Sequence, residues 1–293
     1  VMGIITDSTP LEEPKAPETC HVYALYKLLG APIIMSMIAQ APERQRRAFD
    51  QKVKRMTAAA PPPASVISAM ESMGISVTHV YGLTEVYGPA VVCAEKETWQ
   101  ALPLDEQAKL KSRQGVAYEL EEDVLVLDPE TAQPVPWDGA TQGEVAFRGN
   151  IVMKGYIKRP EDTANAFREG WFWSGDLAVQ HPDGYIEIKD RAKDIIISGG
   201  ENISSIEVEN ALYSHPAVSL VAVVAMSDET WGEVPCAFVE LTDDDSNITE
   251  AELIAHARTS LAGFQRPKKI IFGELPKTST GKIRKNELRD RLR

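Results

Sequence analysis

The chain has few cysteines, no long apolar run and no excess of positive charge, and each shortage removes a class of protein. Its three cysteines, Cys20, Cys93 and Cys236, are odd in number and far apart. They suit neither a disulfide framework nor a zinc-ligand set, and such usage fits a reducing compartment. The five histidines, His21, His79, His181, His215 and His256, show no metal-ligand spacing. The nearest approach to a membrane span is "LLGAPIIMSMIAQA", 14 residues with an internal proline. A spanning helix needs about 20, so this stretch reads as core. A formal net charge of -12 argues against a broad nucleic-acid-binding face, while leaving room for a small local anion site. The N-terminus lacks a signal-peptide pattern and the ending Arg-Leu-Arg is not an S-K-L address. The expected compartment is the cytoplasm, with the peroxisome left open.

What is present divides the chain into parts. Its 293 residues suggest two domains at about 150 residues each. Residues 1–30 are irregular, and "TPLEEPKAPE", with three prolines in ten residues, reads as loop. From there, "PIIMSMIAQAPERQRRAFD" reads as a helix and a charged loop. "ASVISAMESMG" is a helix from Ala64 that stops at Gly74. "ISVTHVYG" is β-branched and reads as a strand, so this part is an α/β layer. The middle holds short strand-like runs, "EEDVLVLDP", "GEVAFRG", "IVMKGYI", "GWFWSGDLAVQ" and "GYIEIKD", with a helix over "RPEDTANAF" opened by Pro160. After Asp190 come a strand in "DIIISGG", a helix in "SSIEVENALYSHPAV", strands in "SLVAVVAMSD" and "VPCAFVEL", a helix in "TEAELIAHARTSL" and a strand in "KKIIFGEL". The expected fold is therefore α/β plus a β-rich subdomain, followed by a small α+β C-terminal domain of about 100 residues.

Several short segments carry chemistry. "KTSTGKIRK" presents Lys282 after Thr, Ser, Thr and Gly. It is not a P-loop, because Pro276 stands where the first glycine is needed and Ile283 follows the lysine. Taken alone it is best read as a solvated lysine after a permissive Gly281. "YGLTEVYGP" sets Gly82, Thr84 and Glu85 directly after a strand, where open α/β sheets bind ligands. There a hydroxyl suits phosphate and a carboxylate suits Mg2+. The plainer reading is a strand-to-loop turn. "WFWSGDLA" puts Asp176 at a turn, as a ribose acceptor or a simple turn-former. "KDRAKDIIISGGENISSIEVE" carries Arg191, as a sugar or phosphate contact or an ion-pair residue. It also carries Gly199 and Gly200, which permit close backbone approach or merely close a turn.

Their joint order, "YGLTE", "SGD", "DRAKDIIISGGENISSIEVE" and "PKTSTGKIRK", resembles the acyl-adenylate-forming (AMP-binding) superfamily, in its acyl-CoA synthetase branch. "THVYGLTEVYGPAVVC", "IISGGENIS" and the adenine-side loop "TAAAPPPA" look like the medium-chain and aryl acyl-activating enzymes. The likeness is expected from about Gly30 onward. The family's upstream Ser/Thr/Gly-rich phosphate loop has no counterpart here, so the chain reads as the C-terminal part of such an enzyme. Residues 1–192 would be the remainder of the large domain and 193–293 the mobile small domain.

The resemblance implies ATP-dependent activation of a carboxylic acid to acyl-AMP, then transfer to coenzyme A, with Mg2+. It assigns Lys282 to the α-phosphate and carboxylate, Thr84 to phosphate and Glu85 to Mg2+. Tyr81 and Gly82 would meet the adenine, with Ala58, Ala59 and Ala60 at its edge. Asp176 would hold the ribose, Arg191 would lie beside it, and Lys193 would be the hinge. Gly199 and Gly200 would wall the pantetheine tunnel. Tyr87, Gly88 and Pro89 are candidates to touch the acid. A homo-oligomer, a complementing N-terminal half, or a catalytically inactive truncated homologue are further expectations, with no nucleic-acid partner.

Overall fold

A computed structural model describes residues 27–29, 32–39, 52–58, 62–119, 121–242, 247–278 and 282–293. The expected order of an α/β layer, a β-rich layer and an α+β unit is observed as three sheets of five strands each.

In the first sheet β1 (Lys27–Leu29), β2 (Val53–Thr57) and β3 (Ile75–Leu83) run parallel. The short strands β4 (Gly88–Val92) and β5 (Val116–Ala117) turn the sheet antiparallel. Strand β2 alternates buried and exposed residues. Its inward Val53 packs with Ile75 and Val77 of β3. The same core takes Met35 of α1 (Pro32–Ala39), Ile67 and Met70 of α2 (Ala64–Ser72) and Ala108 of α3 (Leu104–Ser112).

The second sheet is antiparallel, in the order β10-β9-β7-β6 with β8 beside β9. Its strands are β6 (Asp123–Leu127), β7 (Gln142–Arg148), β8 (Phe167–Arg168), β9 (Trp171–Gln180) and β10 (Ile186–Arg191). Helix α4 (Pro160–Ala166) leads into β8, with Pro160 in its first turn. Ala90 and Val91 of β4, with Val86 from the turn before it, share one core with Val145, Phe147, Phe172 and Ile186 of the second sheet. That shared core fixes the end of β3 against β9. "IVMKGYI" is not a strand, contrary to the reading from sequence. The Met153 N–H is taken by the carbonyl of Glu85 at 2.7 Å and the Tyr156 N–H by Thr163 Oγ1 at 2.9 Å, so these donors have left any ladder.

The third sheet orders β12-β11-β14-β13, with β15 parallel to β14. Its strands are β11 (Ile196–Ser198), β12 (Glu201–Ile203), β13 (Val218–Asp228), β14 (Gly232–Leu241) and β15 (Lys269–Phe272). Val221 and Val223 face α5 (Ser205–Tyr213) and α6 (Glu250–Ala257), while Leu220, Ala222 and Val224 pack with Leu288 of α7 (Lys285–Asp290). Both faces are covered, which explains why β13 reads as a near-continuous apolar run. Helix α5 starts on Ser204, whose side chain accepts the Glu207 N–H, and α6 on a Thr249–Glu252 capping box.

Candidate active site

The turn after β3 is set by steric limits. A Cβ on Gly82 would lie 1.8 Å from the carbonyl oxygen of Gly88, so only glycine lets these backbones approach this closely. A single 3₁₀ turn, Thr84–Val86, follows, and Tyr87 sits in the left-handed region with φ 61°. Val86 is buried in the shared core, which leaves Thr84 exposed and Glu85 half-buried. The Tyr156 hydroxyl donates to Glu85 Oε1 at 3.0 Å.

Asp176 lies in β9, almost fully buried, opposite Arg191 of β10 in the strand register. The Tyr81 hydroxyl donates to its Oδ2 at 2.6 Å, and Arg191 Nε lies 3.0 Å from its Oδ1. Its own N–H donates to Ser174 Oγ at 3.1 Å. An ionised carboxylate offers about four lone-pair positions, so two remain for further donors. Burial first, and then the Asp176 charge, push the Tyr81 hydroxyl pKa well up, so the phenol stays a donor. Its ring packs against Phe147 at 6.0 Å between centroids.

Lys282 lies on a hairpin of the third unit, near enough for the charges of Arg191 and Asp176 to act on it. Lys277 and Ile283 bridge, Thr278 N–H donates to the Lys282 carbonyl at 2.8 Å, and Lys282 N–H donates to Thr278 Oγ1 at 3.0 Å. Around this hairpin the chain is tied down. Lys277 pairs with Glu240 at 2.9 Å, Lys285 with Glu209 at 2.7 Å, and Arg289 with Asp194. Desolvation and then the Arg191 and Lys193 charges lower the Lys282 ammonium pKa, while Asp176 and Asp194 oppose them. Tyr81, Asp176 and Arg191 thus form one bonded cluster, and Lys282 lies within reach of its charges, which the four separated segments of sequence did not reveal one by one.

The other candidates sit elsewhere. Lys193 is exposed in a turn where the Asp194 N–H donates to the Arg191 carbonyl at 2.8 Å. Gly199 and Gly200, with φ 59° and 89°, close the β11–β12 hairpin. A Cβ on Gly199 would meet the Trp231 ring at 2.7 Å, whereas one on Gly200 would meet nothing within 4 Å. Thr57 of β2 is level with His79 of β3, so Ala58 leaves the sheet beside the Tyr81 end. Ala59, Ala60 and Gly281 lie outside the described residues. Tyr156 was missed because its segment had been read as a strand. The available signal was Gly155, whose φ of 150° breaks strand geometry.

Among the described residues no group of three or more His, Cys, Asp or Glu side chains could hold a metal. Glu85, with its Oε2 not engaged by Tyr156, still fits Mg2+, and the exposed Thr84 hydroxyl fits a phosphate oxygen. That ion takes one or two carboxylates and completes its shell with water and substrate phosphate. No helix among the described residues is long and apolar enough to cross a membrane.

Residues 2–157 match the family AMP-binding enzyme, and residues 207–282 match AMP-binding enzyme C-terminal domain. The match from residue 2 corrects the expectation that the likeness starts near Gly30. A peroxisomal acetate/butyrate–CoA ligase of Arabidopsis thaliana is 50% identical over 291 residues, 97% of this chain and 51% of its own. An acetate–CoA ligase of Humulus lupulus is 52% identical over 272 residues, 91% of this chain and 48% of its own. The solved structure of ATP-bound MatB from Rhodopseudomonas palustris superposes with a TM-score of 0.76 at 29% identity, covering 91% of this chain and 51% of that one. The chain spans about half the length of the curated relatives it matches.

Proposed function

The chain belongs to the AMP-binding enzyme family, and we propose that it carries the nucleotide-binding and lysine-bearing parts of an AMP-forming acid–CoA ligase. The observation that carries this reading is the Arg191–Asp176 pair of β9 and β10, 3.0 Å apart, with Lys282 near enough for both charges to act on its ammonium. Residues 1–192 act as the remainder of the large domain and 193–293 as the small domain that turns on Lys193. The two family matches, ending at 157 and beginning at 207, support a boundary in that interval.

In the first step a carboxylate oxygen attacks the α-phosphorus of ATP and pyrophosphate leaves. Two anions must meet, and a cation aimed at both lowers their repulsion as charge develops. Lys282 supplies it, with Arg191 beside it. Asp176 accepts the ribose hydroxyls on its free lone pairs, while Tyr81 and Arg191 hold its plane. Thr84 would contact phosphate and Glu85 would hold Mg2+, whose chemistry when bound is to neutralise phosphate charge. In the second step the coenzyme A sulfur attacks the acyl carbonyl, the bond to AMP breaks, and the thiol proton passes to solvent. The small domain turns between the steps and brings Gly199 and Gly200 to the pantetheine path.

The substrate we infer is a small carboxylic acid, short- or medium-chain or aryl. Acid-dependent exchange of pyrophosphate into ATP tests the reading over such a panel. It is run with the chain alone and mixed with a separately produced segment covering the part of the relatives that it does not span. Exchange that requires Lys282 supports the proposal, and the two arms separate a self-sufficient chain from one needing a complement. Acid-dependent exchange unchanged in K282A, or none in either arm, contradicts it.

A further inference from the structure

Resting on the reading of Glu85 as the Mg2+ ligand, we propose that Tyr156 is the positioning residue that holds the Glu85 carboxylate in its metal-binding orientation. The segment carrying Tyr156 grips the Thr84–Val86 turn at two points. The Met153 N–H donates to the Glu85 main-chain carbonyl at 2.7 Å, and the Tyr156 hydroxyl donates to Glu85 Oε1 at 3.0 Å. One contact fixes the backbone of the ligand residue and the other fixes its carboxylate. With Oε1 engaged by Tyr156, Oε2 is left for the metal.

The tyrosine is itself held. Its N–H donates to Thr163 Oγ1 at 2.9 Å, and that hydroxyl donates to the Arg159 carbonyl at the start of α4. Gly155 makes this possible. Its φ of 150° suits glycine, and a Cβ there would lie 2.7 Å from Thr163 Cγ2. A chain of contacts thus runs from α4 through Thr163 and Tyr156 to Glu85. Outer partners of metal ligands act in this way, setting ligand orientation.

The test is ATP affinity measured with Mg2+ and with EDTA, together with thermal unfolding, for the unsubstituted chain, E85Q and Y156F. Tyr156 is about one-third exposed, so loss of its hydroxyl leaves the fold intact. The expected result is tighter ATP binding with Mg2+ in the unsubstituted chain and loss of that gain in E85Q. In Y156F the apparent Mg2+ affinity falls roughly tenfold, with binding in EDTA and the melting temperature unchanged. A Y156F protein with unaltered Mg2+ dependence, beside an E85Q protein that has lost it, overturns the positioning role and leaves Glu85 standing. A Y156F protein weakened equally in EDTA shows a merely structural role. Absence of any Mg2+ effect, or its persistence in E85Q, overturns the reading of Glu85 and the proposal with it.

Discussion

Asp176 and Lys282 reach one site by opposite routes. Asp176 is built into the ten-residue strand β9, is buried, and has each carboxylate oxygen engaged by a neighbour. Lys282 stands on a short hairpin of another unit, and its approach to Asp176 depends on how that unit is docked. Near the hairpin, Lys285 reaches Ser205 Oγ and Glu209 at 2.7 Å each, and Arg289 pairs with Asp194 beside the Lys193 turn. The contrast teaches a division of labour. On the proposed reading, recognition of the nucleotide is placed on strands of the large domain, and the charge that drives chemistry on a unit that turns. A cation needed in only one of two steps is best carried that way.

Substitutions on the two sides should therefore fail differently. The largest effect is expected for K282A, a loss of roughly 10²–10³ in the rate of acyl-AMP formation, about 3–4 kcal/mol. AMP affinity should change little, and single-turnover rates beside equilibrium binding measure the split. A fall in AMP affinity matching the fall in rate would erase the distinction between the two sides.

The fixed side should also carry an acid-sensitive point of stability. His79 of β3 is buried, with Nδ1 at 3.0 Å from the Arg113 carbonyl and 3.2 Å from that of Ser112. Burial pushes its pKa down to about 4. The unfolded chain takes up the proton near its ordinary 6.5, before the folded one does. Stability is thus full above about pH 6.5 and declines as pH falls toward 4, by about 3 kcal/mol from this group. Denaturant unfolding across that range, compared with H79Q, checks the slope. Glu121 has the opposite sign. Both its oxygens are buried without a hydrogen-bond partner among the described residues, and burial, then the Glu122 charge, raises its pKa to about 7. The unsubstituted chain then loses stability as pH rises from about 4.5 toward 7, and E121Q should escape that loss, by about 1–2 kcal/mol.

A smaller effect is expected for D176N. Its AMP affinity should fall about tenfold or more, since a hydrogen bond to a charged group is worth about 1.5–3 kcal/mol. An AMP analogue lacking the ribose hydroxyls should bind both forms equally. The smallest effect lies in the paired glycines. G200A should cost about 1 kcal/mol for its positive φ alone, and G199A more, because its Cβ would strike Trp231. A bulkier residue at 200 should spare adenylate formation and block the thioester step.

The sequence made some of this legible and hid the rest for physical reasons. β13 was readable because covering both faces demands an unbroken apolar run. α3 was not, because the residues it buries are Ala108 and Lys111. The lysine is neutralised at 2.7 Å by Glu71 of α2, so the helix shows no apolar stripe. The pairing of Tyr81 with Asp176 spans 95 residues and that of Tyr156 with Glu85 spans 71. No local pattern encodes such contacts. The motifs named Glu85, Asp176, Tyr81 and Arg191, but neither Tyr156 nor the bonds that Tyr81 and Arg191 make to Asp176.

The most direct measurement is a crystal structure of the chain with a non-hydrolysable acyl-adenylate analogue. The expected result is one ligand molecule with its ribose hydroxyls on Asp176 and its phosphate-equivalent oxygens within hydrogen-bond reach of Lys282 Nζ, under about 3.2 Å. A ligand seated away from Asp176, or seated there with Lys282 turned to solvent, would contradict the shared site.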